Sequence, residues 1–241
     1  MFVQIRNLTD KKSMFQVTPT PDTLHLRQGT GTAFDSIGFV KKGAALTVLA
    51  IDGSGTWLQV KEAGKNGKTG WCSARYLLPI VLPAAGSTTP WLAIAAKEIG
   101  TKEYPGDNAN HPRIQQYLAT VNNLSAIDKL KDETPWCSCF MNWCVGQADM
   151  AGTDSAWAKS WGNWRNAVAP SAMQTGDIAV FDRSSAAGGG GHVGIAITQD
   201  TAKQTILLLG GNQSDAVRYA WYPMDGVQRS THYQLLSLRR A

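Results

Sequence analysis

Along residues 18–83, short runs of alternating apolar and polar residues, at 23–27, 45–51, 57–61 and 69–72, are separated by glycine-rich turns such as Gln28-Gly29-Thr30-Gly31 and Asp52-Gly53-Ser54-Gly55. A period of two is that of half-buried strands, so this part is expected to be a small all-β barrel. Trp57 and Trp71 stand among polar neighbours, as half-buried strand residues should. The stretch Pro83-Ala84-Ala85-Gly86-Ser87-Thr88-Thr89-Pro90 has the small, turn-forming composition of a linker. Beyond it the period changes to that of helices. Trp91, Leu92, Ala95, Ala96 and Ile99 predict a helix over 91–99, Gly100 ends it, and further helices are predicted over 112–118 and 136–150. After Pro170 strands return at 177–181, 192–198 and 206–209, and the tract 184–191 reads as a flexible hairpin loop that could gate a cleft. Helices followed by antiparallel strands predict an α+β domain. The expected division is 1–83 for the barrel, 84–90 for the linker and 91–241 for the second domain.

Length and composition agree with this division. A chain of 241 residues exceeds the commonest domain size, and with 43% hydrophobic residues it can bury sizeable cores. No apolar stretch is long enough to cross a bilayer. The net charge of +5 would suit an anionic partner such as a bacterial wall polymer, but the basic residues are scattered and mark no nucleic-acid groove. The first residues, MFVQIRNLTDKK, lack the apolar core and cleavage site of a signal peptide, so the usual export route is not expected. Four unevenly spaced cysteines do not form a disulfide framework, and free thiols are expected.

Three of those cysteines, Cys137, Cys139 and Cys144, lie within eight residues. Cys137 falls where the irregular Glu133-Thr134-Pro135-Trp136 gives way to the helical pattern. A thiol at a helix N-terminus faces unpaired N–H groups and the positive end of the dipole, which favour thiolate and can also hold an oxyanion. Cys139 is its rival, about 200° around the helix. Cys144 shares the face of Cys137 two turns inside, where a thiol packs as a small hydrophobe. Among His25, His111, His192 and His232, the third opens a strand after a glycine-rich turn, from which it could face a helix terminus as a base. Asn212, following Leu207-Leu208-Leu209-Gly210-Gly211, is the nearest residue in that topology to orient the ring.

"LHLRQGTGTAFDSIGFVKKGAALTVLA", "TWLQV" and "GKTGWCSARYL" together resemble the bacterial SH3-like domain, which implies a module that binds wall peptides or packs against a catalytic partner. "DETPWCSCFMNWC", "GTDSAWAKSW", "TGDIAVFDR", "GGHVGIAI" and "LLGGNQSDAV" resemble the cysteine, histidine-dependent amidohydrolase/peptidase (CHAP) family and its NlpC-type relatives in the papain-like superfamily. The resemblance implies Cys137 as nucleophile, His192 as general base and Asn212 as the residue orienting it. Family members use Asn, Asp, Glu, Gln or His at the third position. "EIGTKEYPGDNANHPRIQQYL" resembles the start of a close subgroup, in which Glu103 and the 110–117 stretch recur.

Other readings compete at the same residues. Cys-x-Cys-x4-Cys within one helix splays its ligands and has no Cys-x-x-Cys knuckle, which disfavours zinc, and the glycine tract lacks the Gly-Lys-Ser/Thr of a phosphate loop. Dense tryptophan around a helix is more often core than platform, yet Trp136 and Trp161, with Glu103, are candidates for substrate binding. The expected function is a peptidoglycan hydrolase, an amidase or an endopeptidase, working through an acyl-enzyme with no metal and no cofactor. A papain-like protease, deamidase or transferase toxin acting on a protein is the alternative, and a non-enzymatic wall-binding protein the lesser one. The expected partner is peptidoglycan or its peptides, with an immunity protein if the chain is a secreted toxin, no nucleic acid, and a monomeric state. A wall substrate without an export signal would fit a phage lysin or a specialised secretion route.

Overall fold

The computed structural model describes residues 14–64, 66–81, 89–106, 109–186 and 188–241. The fold is α+β, with two antiparallel sheets and three α-helices among these residues. The expected linker lies largely outside them. No helix among them is long and apolar enough to cross a membrane.

Strands β1 (Gln16–Pro19), β2 (Thr23–Arg27), β3 (Ser36–Lys41), β4 (Leu46–Ile51), β5 (Trp57–Glu62), β6 (Thr69–Ser73) and β7 (Leu77–Pro79) form one curled sheet in the order β3-β2-β6-β5-β4-β1-β7. Alternation decides what each strand buries: Leu24 and Leu26 point inward from β2, Leu58 and Val60 from β5, while Thr23 and His25 face water. Cys72 sits in this core, where burial pushes its thiol up to about 12.

Three helices follow, α1 (Pro90–Lys97), α2 (Pro112–Leu118) and α3 (Cys137–Gly146). The last is shorter than its apolar pattern predicts, and every residue from Cys137 to Val145 is buried. A helix apolar on all faces belongs inside a core. It packs against α1, α2 and the second sheet. Around α2, Glu98 takes two hydrogen bonds from Arg113 at 2.8 and 2.7 Å and one from the Tyr117 hydroxyl at 2.6 Å, which satisfies a carboxylate only 7% exposed.

The second sheet contains β8 (Asn166–Val168), β9 (Ile178–Ser185), β10 (Gly188–Asp200), β11 (Thr205–Gly210), β12 (Arg218–Pro223), β13 (Asp225–Gln228) and β14 (Thr231–Arg240). Its order is β12-β11-β10-β9-β14-β13, with β8 added beside β14. One expectation fails here. Gly188, Gly189, Gly190 and Gly191 are not a loose loop but the first residues of β10, paired in register with Ser185, Ser184, Arg183 and Asp182. The ladder between β9 and β10 runs through the glycines. His192 therefore lies within a strand, opposite Phe181, rather than at its start.

The two sheets touch. Tyr219 N–H donates to the Gly55 carbonyl at 3.0 Å, and Arg218 Nη2 donates to the Gly53 carbonyl at 2.7 Å. Gly55 has φ +69°, and a Cβ there would run into the Tyr219 carbonyl oxygen. Gly55→Ala is accordingly expected to cost about 1–3 kcal/mol of stability and to be read as a lowered thermal midpoint. An unchanged midpoint would mean that the contact between the sheets carries no energy.

Candidate active site

Cys137 is the first residue of α3, and side-chain hydrogen bonds on both sides fix that helix end. The Ser138 hydroxyl donates to the Ser155 carbonyl at 2.6 Å, and the Trp161 indole N–H donates to the Ser138 hydroxyl at 2.9 Å. Asn142, one turn on, accepts from Thr153 and Asp154 N–H at 2.8 and 3.0 Å, clamping the 153–155 segment against the helix. On the other side the Trp136 indole N–H donates to Glu103 Oε1 at 2.6 Å. Asn110 Oδ1 accepts from Asp132 N–H at 2.8 Å, and Asp132 Oδ2 accepts from Tyr104 and His111 N–H at 3.0 and 2.8 Å. Glu103, Tyr104, Asn110 and His111 thus buttress the segment that delivers the cysteine.

These contacts revise two expected substrate contacts. Trp136 and Trp161 are both 0% exposed, so neither offers a face to a ligand. Each instead anchors the neighbourhood of the cysteine through its indole N–H. Glu103 is half-buried, and burial, with Asp215, Asp132 and Glu133 nearby, raises its carboxyl above the ordinary value despite the Trp136 hydrogen bond. The exposed tryptophan is Trp157, at 60%; the adjacent Ala158 packs beside Gly191, next to His192.

Cys137 and His192 lie on elements that pack against each other, α3 and β10. The backbone N–H of Val193, the residue after His192, bears on the Cys137 sulfur along with those of Ser138 and Cys137 itself. The His192 ring stacks on Tyr222 at 4.9 Å, and the Cys137 charge reaches the Tyr222 hydroxyl. His25 belongs to β2 of the barrel, His232 in β14 is paired to Asp225, and His111 caps α2 by accepting from Arg113 N–H.

The partner of the ring differs from the expected Asn212. His192 Nε2 lies 3.2 Å from Oε1 of Gln213, which is 1% exposed. The physical reason is a turn: Asn212 adopts φ 53°, a left-handed conformation that Asn tolerates, and Gly211 ahead of it packs where a Cβ would meet the Trp136 ring. The chain bends there, and the next side chain reaches the imidazole. Asn212 still lines the same cleft as His192. The Gln213 amide N–H donates to the Arg218 carbonyl, an obligate acceptor, so Oε1 is left to accept from His192. The ring proton is then on Nε2, and the Nδ1 lone pair is free to act as a base.

Electrostatics at the cysteine run against the expectation of a stabilised thiolate. Burial pushes the Cys137 thiol up, and it outweighs the backbone N–H groups and the charge of Arg183, which pull it down. Burial likewise lowers His192 to about 4, opposed by Gln213 and helped by Arg183. The resting pair is a thiol beside a neutral imidazole. Cys139 is 0% exposed and is pushed up to about 12 by burial, and burial raises Cys144 well above the ordinary thiol value. All four cysteines are free thiols.

The His192 shift has a consequence for stability. Unfolded chains take up the proton near 6.5, whereas the folded ring resists it to about 4. Between those values the unfolded state binds more protons, so stability is full above pH 6.5 and falls as the pH drops towards 4. The loss from this residue is about 3 kcal/mol. Denaturant titrations of the wild type and His192→Gln at pH 7 and pH 4 should differ by that amount; parallel losses would show that the ring titrates normally when folded.

Residues 22–77 match the family described as Bacterial SH3 domain, and residues 129–212 match the CHAP domain. The chain is also similar to three solved structures. NlpC2 from Trichomonas vaginalis is 15% identical, with 94% of this chain and 72% of that one covered at a TM-score of 0.37. NlpC1 from the same organism is 13% identical, with coverage of 94% and 69% and a TM-score of 0.38. An NlpC/P60 family protein from Bacillus cereus ATCC 10987 is 16% identical, with coverage of 96% and 64% and a TM-score of 0.36. No protein of curated function matches.

Proposed function

We propose that this chain, which carries a bacterial SH3 domain followed by a CHAP domain, hydrolyses an amide bond of peptidoglycan through Cys137, His192 and Gln213. The observation that carries this reading is the set of groups at the head of α3: a cysteine whose sulfur meets the N–H of Val193, the histidine that precedes Val193 on the strand, and a glutamine on that histidine whose amide orientation is set by the Arg218 carbonyl. In the first step His192 Nδ1 takes the thiol proton as the sulfur attacks the substrate carbonyl. The pair passes from neutral to charged only as the bond forms, which suits a buried site where a standing ion pair would be costly. Negative charge on the carbonyl oxygen meets the N–H groups at the helix terminus. The imidazolium, held by Gln213, returns its proton to the leaving amine, and the acyl group stays on Cys137. Water activated by the same ring then releases the product.

Trp157, exposed next to the site, offers a flat face for a sugar or a peptide plane. The barrel contributes Ile51, Asp52 and Gly53 to the wall of the cleft that holds His192, so it shapes access to the site as well as offering a surface for the wall. The test is digestion of purified sacculi followed by mass spectrometry of the soluble fragments. Fragments with new amino termini are expected, in chelator as well as without it. A lactyl–alanine cut would identify an amidase and a cut inside the stem an endopeptidase. Intact sacculi, with a folded protein substrate cut instead, would contradict the proposal in favour of a protein-directed enzyme.

A further inference from the structure

A cleft of about 530 Å³ runs from His192 across the face of β12 to the barrel turn at Asp52 and Gly53. Its chemistry is set by three guanidinium groups, those of Arg183, Arg218 and Arg229. Among the described residues none of the three has a carboxylate within ion-pair distance. Arg218 donates to the Gly53 and Tyr219 carbonyls, and Arg229 to the Ser214 hydroxyl, so their hydrogen bonds go to neutral acceptors. Burial lowers the pKa of Arg218 and the charge of Arg229 adds to that, while Tyr222 and Asp52 act the other way without reversing it.

Two acids also line the cleft, Asp52 and Asp215. The Asp52 carboxylate is committed to its own turn: Oδ2 accepts from Ser54 N–H, and Oδ1 accepts from Thr56 and Trp57 N–H at 3.0 and 2.9 Å. Asp215 is exposed at the rim and stands close enough to Glu103 to raise its carboxyl. Three cations against two anions among the lining residues leave a cleft that favours an anion. A planar fork of N–H donors matches a carboxylate bidentately.

We infer that this cleft is the binding site for a carboxylate of the peptide substrate, recognised by Arg183, Arg218 and Arg229 while the scissile amide lies at Cys137. The inference rests on the peptidoglycan reading, since a γ-linked glutamate or a diamino diacid in a stem peptide keeps a free carboxylate beside its amide bond. It goes further in assigning a subsite and a discrimination: peptides whose carboxylates are amidated bind more weakly. Arg183, whose charge acts on both Cys137 and His192, marks the end of the cleft nearest the chemistry.

The experiment measures dissociation constants by calorimetry on the full chain carrying Cys137→Ala, which keeps the substrate intact. The ligands are a soluble muramoyl-tripeptide with free carboxylates and the same compound fully amidated. The free acid is expected to bind about ten- to hundredfold tighter, the range of a charge-assisted pair. Adding Arg229→Gln or, separately, Arg183→Gln should shrink that preference several-fold. Both side chains are exposed, and a melting curve checks that each variant remains folded. Equal affinity for the acid and the amide, a preference that survives both arginine substitutions, or no binding of either compound overturns the inference. Sacculi left uncut by the wild type would instead count against the peptidoglycan reading, because the binding contrast needs no turnover.

Discussion

Replacing Cys137 by alanine is expected to lower amide hydrolysis by at least about 10⁴-fold, because the sulfur is the atom that forms the acyl bond. His192→Ala should fall nearly as far, since the two act as a unit and removal of either leaves only binding and the helix-end donors. Cys139→Ala is the informative contrast. Its thiol is wholly buried on another face of α3 and is pushed up to about 12, so its loss should cost stability through a small cavity but leave turnover within a few-fold of wild type. Progress curves on soluble muropeptide, with melting curves alongside, separate the outcomes. A dead Cys139→Ala protein that still folds, beside an active Cys137→Ala protein, would reverse the assignment.

The second large effect concerns Gln213. Its amide holds the His192 ring through Nε2 and is itself held by the Arg218 carbonyl, so Gln213→Ala frees the ring to turn and removes the acceptor that stabilises imidazolium. A fall of about 10²-fold in kcat is expected, with KM changed much less. Gln213→Glu restores an acceptor but adds a buried charge, which should raise the His192 pKa and move the acidic limb of the pH–rate profile upward. Asn212→Ala should be mild by comparison, because Asn212 lines the cleft without being the ring's partner. If Asn212→Ala abolishes turnover while Gln213→Ala does not, the relay runs through the earlier residue.

The one-residue difference between Asn212 and Gln213 shows where sequence reasoning stops. Local patterns carry the strands of the barrel, the helix that opens at Cys137 and the strand that holds His192, because each depends on periodicity and end signals within a few residues. Which of two adjacent amides meets the imidazole depends on a left-handed turn and on Gly211 fitting under Trp136, both of which are long-range packing facts. The glycine tract misleads for a related reason: glycine-rich segments are loops by propensity, and here a paired ladder overrides that preference. Trp136 and Trp161 have the composition of a binding surface and the position of core residues, and only burial distinguishes the two.

The thiol shows the same limit in its electrostatics. A helix N-terminus argues for a lowered pKa, and the N–H groups do act in that direction, but the desolvation of a cysteine only 6% exposed outweighs them. The arginine-lined cleft is equally invisible in the sequence, because Arg183, Arg218 and Arg229 come from three separate parts of the chain and converge only when the sheet and the barrel turn meet. The basic residues that look scattered along the chain include the three that give the cleft its charge.

Mapping the covalent intermediate decides whether Cys137 carries the acyl group. Wild-type protein is mixed with soluble muropeptide, quenched in acid within the first turnover, digested and fragmented in a mass spectrometer so that Cys137, Cys139 and Cys144 are resolved within their shared peptide. An acyl mass is expected on Cys137 and is expected to be absent from Cys137→Ala. An acyl mass on Cys139 or Cys144, or none on any cysteine of a protein that is turning over, would contradict that assignment.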